Sequence, residues 1–205
     1  LLGPHVVRAD DARPDAVFTA DGFAYPLDGL RSPAGVAERS CSGGAWLGGL
    51  KDYPPYRDDQ LHAALDISST LEAPIYAVTP GVVDPGTGMH SGFAPNGGMG
   101  GVIVIRSTGA NGVPYYVAYG HTREPKLRIG SNITAGEQIG AVGPRDRGIH
   151  LHLFVRVKPL PRNGWGTPTP TGVAGKPGCE YAGCAADIVA LGYRAPMSLF
   201  TGQLT

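Results

Sequence analysis

A mainly β, antiparallel fold follows from three features of this chain. Its 205 residues include 32 glycines and 19 prolines, about a quarter of the whole. These residues punctuate short apolar runs rich in β-branched and aromatic side chains, the pattern of strands joined by turns. No long stretch carries the 3.6-residue apolar period of an amphipathic helix, and no internal repeat is evident.

The elements follow in order. Residues 1–24 mix charge, proline and alanine without a period and read as an extended N-terminal arm. A single domain is expected over 25–205, opened by "FAYPLDGLRSPAGVAERS" and a glycine- and aromatic-rich loop, "CSGGAWLGGLKDYPPYRDD". "HAALDIS" and "PIYAVTPGVVD" are short apolar strand candidates. "GGVIVIRST" is a continuous β-branched run, as for a strand buried on both faces. "VPYYVAYGH" alternates, which predicts Tyr115, Val117, Tyr119 and His121 on one face. "LRIGSNITAGEQIGAVG" sets apolar residues between glycine turns, and "IHLHLFVRV" is the last clear strand. Between them lie long Gly/Pro-rich loops at 85–101 and 158–178; loops of that length in a compact domain are usually functional or mobile. Only "PGCEYAGCAADIVALGY" and "RAPMSLFTGQ", in a C-terminal extension over 158–205, hint at short helices.

Charge excludes some partners. Lysine plus arginine equals aspartate plus glutamate at 17 each, which gives no electrostatic footprint for nucleic acid or an anionic membrane. No apolar stretch approaches the roughly 18 residues of a membrane span. A monomer is expected. No secretory signal is visible at "LLGPHVVRAD", but a mature chain would look the same. Of three cysteines, Cys179 and Cys184 lie close together in "GCEYAGCAAD". A disulfide there would contribute about 2 kcal/mol on the chain-entropy model and indicate an oxidising compartment. Cys41 is then left over or pairs with one of them; the plain alternative is three inert thiols. No second cysteine pair accompanies them, so the spacing does not match a zinc knuckle.

Chemistry concentrates in histidines. Four of six fall on strand-like segments or at their ends: His62, His121, His150 and His152. His62 precedes Asp66 by four residues. His150 and His152, two apart on a strand, project to one side about 7 Å apart. Each feature alone has an ordinary reading, as a surface pair or hydrogen-bonded rings. Together they point to catalytic zinc, which takes three protein ligands and keeps a fourth position open. The best trio is His62, Asp66 and one of the "HLH" pair. Such a site keeps a net charge of about +1 and brings the pKa of a bound water toward roughly 7. The remaining histidines are then available for proton transfer. No "HExxH" occurs to offer a glutamate base.

With these residues in this order, the chain resembles the lysostaphin-like or LytM-domain zinc endopeptidases. The resemblance covers about residues 60–157, the core motif region, and is carried by "HAALDISSTLEAPIYAVTPGVV", "YVAYGH", "IGSNITAGEQIGAVG" and "HLHLF". It implies a LytM-like, duplicated-hybrid-motif-like fold whose antiparallel sheets form a groove. It implies one Zn2+ held by His62, Asp66 and His152, with His150 as general base and His121 as its partner in orienting water or stabilising the oxyanion. It also implies hydrolysis of peptide bonds in peptidoglycan cross-links or stem peptides by a metal-activated water, outside the cell, in the periplasm or at the wall. Tyr115, Tyr119 and Trp165 are candidates for lining the groove.

The chain departs from the family pattern at several points. Ala64 replaces a usual glycine, Ile149 a proline, and Phe154 stands where glutamate is common. Arg145, Asp146 and Arg147 replace small hydroxyl residues before the histidine pair. None removes a ligand, and all five site positions are filled, which argues against the alternative of a catalytically inactive wall-binding or amidase-activating module. The hairpin also suggests lipoyl- or biotin-carrier domains but lacks their modifiable lysine. A D,D-carboxypeptidase would call for an additional acidic base, with Glu180 the nearest downstream candidate.

Overall fold

The computed structural model describes residues 19, 21–40, 63–89, 100–145, 148–159 and 192–201, and the backbone pairing of 55–57 and 60–61. The cysteines, His62, Trp165, residues 1–18 and most of the 158–205 extension lie outside the described residues.

The described chain is mainly β. Twelve short strands run in order: β1 (Pro55–Arg57), β2 (Gln60–Leu61), β3 (Leu65–Ser68), β4 (Pro74–Tyr76), β5 (Gly81–Val83), β6 (Gly88–Met89), β7 (Gly101–Thr108), β8 (Pro114–Thr122), β9 (Asn132–Ile133), β10 (Gln138–Ala141), β11 (His150–Arg156) and β12 (Tyr193–Arg194). The main sheet has the order β12-β11-β8-β7-β5-β9, with β3 also on β11 and β6 also on β7. Every pairing is antiparallel. β4 and β10 form a separate antiparallel pair, as do β1 and β2.

Period two sorts the three longest strands into two faces. Ile103 and Ile105 of β7, Tyr115, Val117 and Tyr119 of β8, and Leu151, Leu153 and Val155 of β11 enter the core. Ile75, Ala77, Val78, Ile139 and Val142, from around the β4–β10 pair, belong to the same cluster. Each buried valine, leucine or isoleucine among them contributes roughly 1.5–3 kcal/mol through burial. The opposite face carries His150, His152, Phe154 and Arg156 of β11, all buried as well. "GVIVI" is buried on both faces, as its unbroken apolar run predicts.

Among the described residues, two short helices accompany the sheets. α1 (Pro33–Glu38) starts where the Ser32 hydroxyl accepts from the Gly35 amide and proline occupies the first turn. Its six residues are too few to show an apolar period, and the sequence reading has no helix there. α2 (Ser198–Thr201) lies in the expected "RAPMSLFTGQ" segment and buries Leu199 and Phe200, with Phe200 stacked on Tyr25 at 5.3 Å.

β7 and β8 part from regular register near one end. Ile103 faces Tyr119, but Gly101 faces Thr122, so β8 spends an extra residue between them. Gly101 permits the close approach. A Cβ there would lie 2.6 Å from the Thr122 hydroxyl and would run into the Arg123 carbonyl oxygen. Gly101→Ala is therefore expected to destabilise the protein by about 1–3 kcal/mol, read as a lowered denaturant midpoint; an unchanged midpoint would show that the strands can separate freely here.

Candidate active site

β11 is the central strand of the site because it is paired on both edges. His152 lies opposite Asp66 of β3 on one side and Gly120 of β8 on the other. Directly opposed residues share a face, so Asp66 and His152 meet away from the core although 86 positions separate them. The His152 Nδ1–H donates to Asp66 Oδ1 at 2.8 Å. His150, two residues earlier on the same face, places Nε2 3.4 Å from Asp66 Oδ2.

His121 reaches this face by a different route. Strict alternation would send it into the core after Tyr119. The extra residue in β8 is a β-bulge, and bulges re-aim side chains. His121 itself adopts φ 56°, in the left-handed region, which histidine enters more readily than β-branched residues do. Its ring packs edge-on against His150 at 4.8 Å between centroids and lies 5.4 Å from His152. The predicted common face of Tyr115, Val117, Tyr119 and His121 thus holds for the first three and fails at His121. A strap locks the bulge: Gly143 N–H donates to the His121 carbonyl at 2.7 Å, Arg123 N–H to Ala141 at 2.9 Å, and Thr122 bridges to Val142.

Hydrogen bonding orients the ring of His150. Its Nδ1–H donates to the Gly148 carbonyl at 2.6 Å, which Gly148 presents from a left-handed backbone (φ 57°). Nε2 is then the lone-pair nitrogen, and it is buried with no hydrogen-bond partner among the described residues. A carboxylate oxygen and an imidazole lone pair facing each other leave room for a proton or a cation between them.

Burial sets the protonation of the rings. His121 is held well below the ordinary value of 6.5, by desolvation first and then by the neighbouring His152, Arg145 and His150; Asp66 pulls the other way. His150 is also lowered by desolvation, against the opposing pull of Asp66 and the Gly148 carbonyl. Both rings are therefore neutral at neutral pH.

The structure brings together four of the five sequence candidates: Asp66, His121, His150 and His152. The fifth, His62, lies outside the described residues, as does Trp165. Among the described residues no group of three or more His, Cys, Asp and Glu side chains forms a metal-holding set. The two tyrosines sit elsewhere. Tyr119 is fully buried in the core, where its hydroxyl accepts from the Val78 amide at 2.7 Å, so it lines no groove. Tyr115, near the far end of β8, edges a cavity of about 720 Å³ with Phe23, Pro80, Val113 and Arg194, about 20 Å along the strand from His121.

Sequence reasoning missed what four residues contribute. Arg145, noted only as a departure, contacts His121, with Nη1 3.1 Å from Nδ1 and in contact with Nε2. Gly148 supplies the carbonyl that fixes His150. Phe154 packs edge-on against His152 at 5.6 Å, and Arg156 stacks over Tyr193 at 4.8 Å further along the strand. A glycine two residues before a histidine was the one available signal for the second.

The lowered histidines have a consequence for stability. Between their folded values and 6.5, the unfolded chain binds more protons than the folded one, so the stability present above 6.5 is lost as pH falls through that window. The metal-free protein is expected to lose denaturant resistance progressively as pH falls from neutral through 6.5 and below. His121→Asn, which tolerates the left-handed backbone and takes up no proton, is expected to make that slope shallower. Urea titrations of both proteins across the range provide the comparison, and equal slopes would remove His121 from the account.

The sequence matches the model of peptidase family M23 over residues 60–164. No curated protein matches it. Among solved structures, a zinc-containing peptidase from Vibrio cholerae aligns at 21% identity and TM-score 0.45, over 72% of this chain and 45% of that one; this chain thus spans less than half of that protein's length. A variant catalytic domain of the prophage-encoded M23 protein EnpA from Enterococcus faecalis aligns at 26% identity and TM-score 0.42, over 61% and 83%. The catalytic domain of the antimicrobial peptidase lysostaphin from Staphylococcus simulans aligns at 19% and 0.40, over 58% and 90%. The family match takes in Asp66 and the histidine pair and extends over just over half of the sequence: the chain belongs to peptidase family M23.

Proposed function

We propose that this chain is a zinc-dependent endopeptidase that cuts peptide bonds in the cross-links or stem peptides of peptidoglycan. One observation carries the reading: a buried carboxylate, Asp66, flanked by His150 and His152 with the His121 ring against both.

The donor chemistry fits zinc. Asp66 offers a carboxylate and His152 an imidazole whose Nδ1 faces it at 2.8 Å, and an ion held by both would take the place of the proton now between them. His62 is the proposed third ligand. Zinc bound there supplies a Lewis acid and a water of lowered pKa.

The remaining work belongs to side chains. His150, anchored through Nδ1 on Gly148, offers Nε2 to take a proton from the attacking water and later return it to the leaving amine. Its neutrality makes it competent as a base at neutral pH. His121, rigidly held by the bulge, donates toward the carbonyl oxygen as negative charge develops there. Burial of the cluster keeps water from competing for these hydrogen bonds.

Such a substrate places the protein outside the cytoplasm, in the periplasm or at the cell wall. No helix among the described residues is long and apolar enough to cross a membrane.

Incubation of defined muropeptides with the zinc-loaded protein is expected to yield a new amine terminus, read by mass spectrometry. His150→Ala is expected to lower the rate by about 10²–10⁴-fold while zinc still binds. Asp66→Asn and His152→Ala are expected to lose zinc as well as activity. Chelation abolishes cleavage, and added zinc restores it. No cleavage of any cross-link type by the zinc-bound protein would overturn the peptidase reading and favour a wall-binding module.

A further inference from the structure

Arg145 has no part in the acid–base roles above, yet its guanidinium lies against His121, with Nη1 3.1 Å from the ring Nδ1. We propose that Arg145 is a specificity residue that binds a free carboxylate on the peptide substrate, on a residue flanking the scissile bond. The inference rests on the peptidase reading and names a feature of its substrate.

Position comes first. His121 packs at 4.8 Å on His150, so a peptide lying across those rings comes within reach of the guanidinium. Access points the same way. Asp66, His121, His150 and His152 are each at most 8% exposed, whereas Arg145 is only partly buried. An approaching peptide meets Arg145 before it meets the rings.

The residue is also held in place. Two positions before it, the Gly143 amide is tied to the His121 carbonyl, and Val142 bridges Thr122. The strap that fixes the bulge therefore fixes the base of Arg145, and a preorganised group loses less entropy on binding.

Chemistry selects the ligand. A guanidinium presents a planar fork of donors with a fixed positive charge, matched to the two oxygens of a carboxylate. The single oxygen of a reacting carbonyl needs no such fork and has His121 beside it. The structure thus favours peptides with a free carboxylate near the cut over the same peptides capped as carboxamides.

The test uses two synthetic cross-linked peptides, identical except that the residue flanking the scissile bond carries either a carboxylate or a carboxamide. The wild-type protein is expected to prefer the acid by about tenfold or more in kcat/KM, chiefly through KM. Arg145→Gln brings the acid-to-amide ratio close to one, and Arg145→Lys keeps part of the preference, with thermal unfolding confirming that both variants fold. A wild-type ratio near one overturns the proposal, as does a ratio that survives in Arg145→Gln while both rates fall together. Calorimetric binding of the uncleaved peptides separates the two readings. If neither is cut, a preference for the acid that depends on Arg145 still upholds the carboxylate site and removes only the peptidase reading. Equal binding of acid and amide, or binding of neither, removes the site.

Discussion

The contact between Asp66 and His152 is the constraint around which this molecule is arranged. An ionised carboxylate taken out of water costs several kcal/mol unless partners replace its hydration, and Asp66 is only 8% exposed. Its partners arrive from a strand 86 residues away, so the β3–β11 pairing must be in register before the carboxylate can be buried safely. A one-residue slip would turn Asp66 toward the core and Ile67 toward the histidines. The apolar residues beside them, Leu65, Ile67, Leu151 and Leu153, belong to the core cluster and enforce the same register from the other face. Hydrophobic burial on one side of β11 thereby specifies the polar geometry on the other.

A second constraint sits in β8. That strand must deliver tyrosine and valine to the core along most of its length and then a histidine to the opposite face. Regular alternation cannot do both. The bulge resolves the conflict by adding one residue, and the left-handed backbone at His121 completes the turn of the side chain. Such a conformation in a non-glycine residue costs on the order of 1–3 kcal/mol and persists only where surroundings over-determine it. Here the surroundings are identifiable: the Gly143 and Arg123 amides, the Thr122–Val142 bridge, and the close approach that Gly101 allows.

These two constraints differ in how far the sequence reveals them. Period two alone places Leu151 and Leu153 opposite the histidine pair, and Tyr115, Val117 and Tyr119 together, because regular strands repeat every second residue. The order of "HAALD", "YVAYGH" and "HLHLF" points to one cluster, since the spacing of residue types carries chemistry that the fold then assembles. The bulge is not written locally. Nothing in "YVAYGHT" says that β7 slips against it, because the slip depends on Gly101, which is twenty residues away and belongs to another strand. For the same reason Tyr119 reads as a groove candidate when it is a core residue whose hydroxyl satisfies the Val78 amide. Arg145 is visible in the sequence only as a charged residue where small ones are usual; its contact with His121 needs the strap at 141–143 to be folded first. α1 escapes notice because a Ser-Pro cap with six residues behind it gives no period to read.

The electrostatics of the site follow from burial more than from charge pairing. Asp66 favours protonated imidazoles, yet desolvation outweighs it at both His121 and His150, and the neighbouring rings and Arg145 push in the same direction. The result is that the His150 ring stays neutral beside a carboxylate, and the His121 ring stays neutral against it. Neutral imidazole is the form that can bind a metal or accept a proton, so the proposed chemistry needs this outcome. The same burial makes the folded chain intolerant of acid, since each proton taken up must be lodged in a site built to exclude charge. Function and acid sensitivity therefore share one physical origin: the depth at which the sheet places these rings.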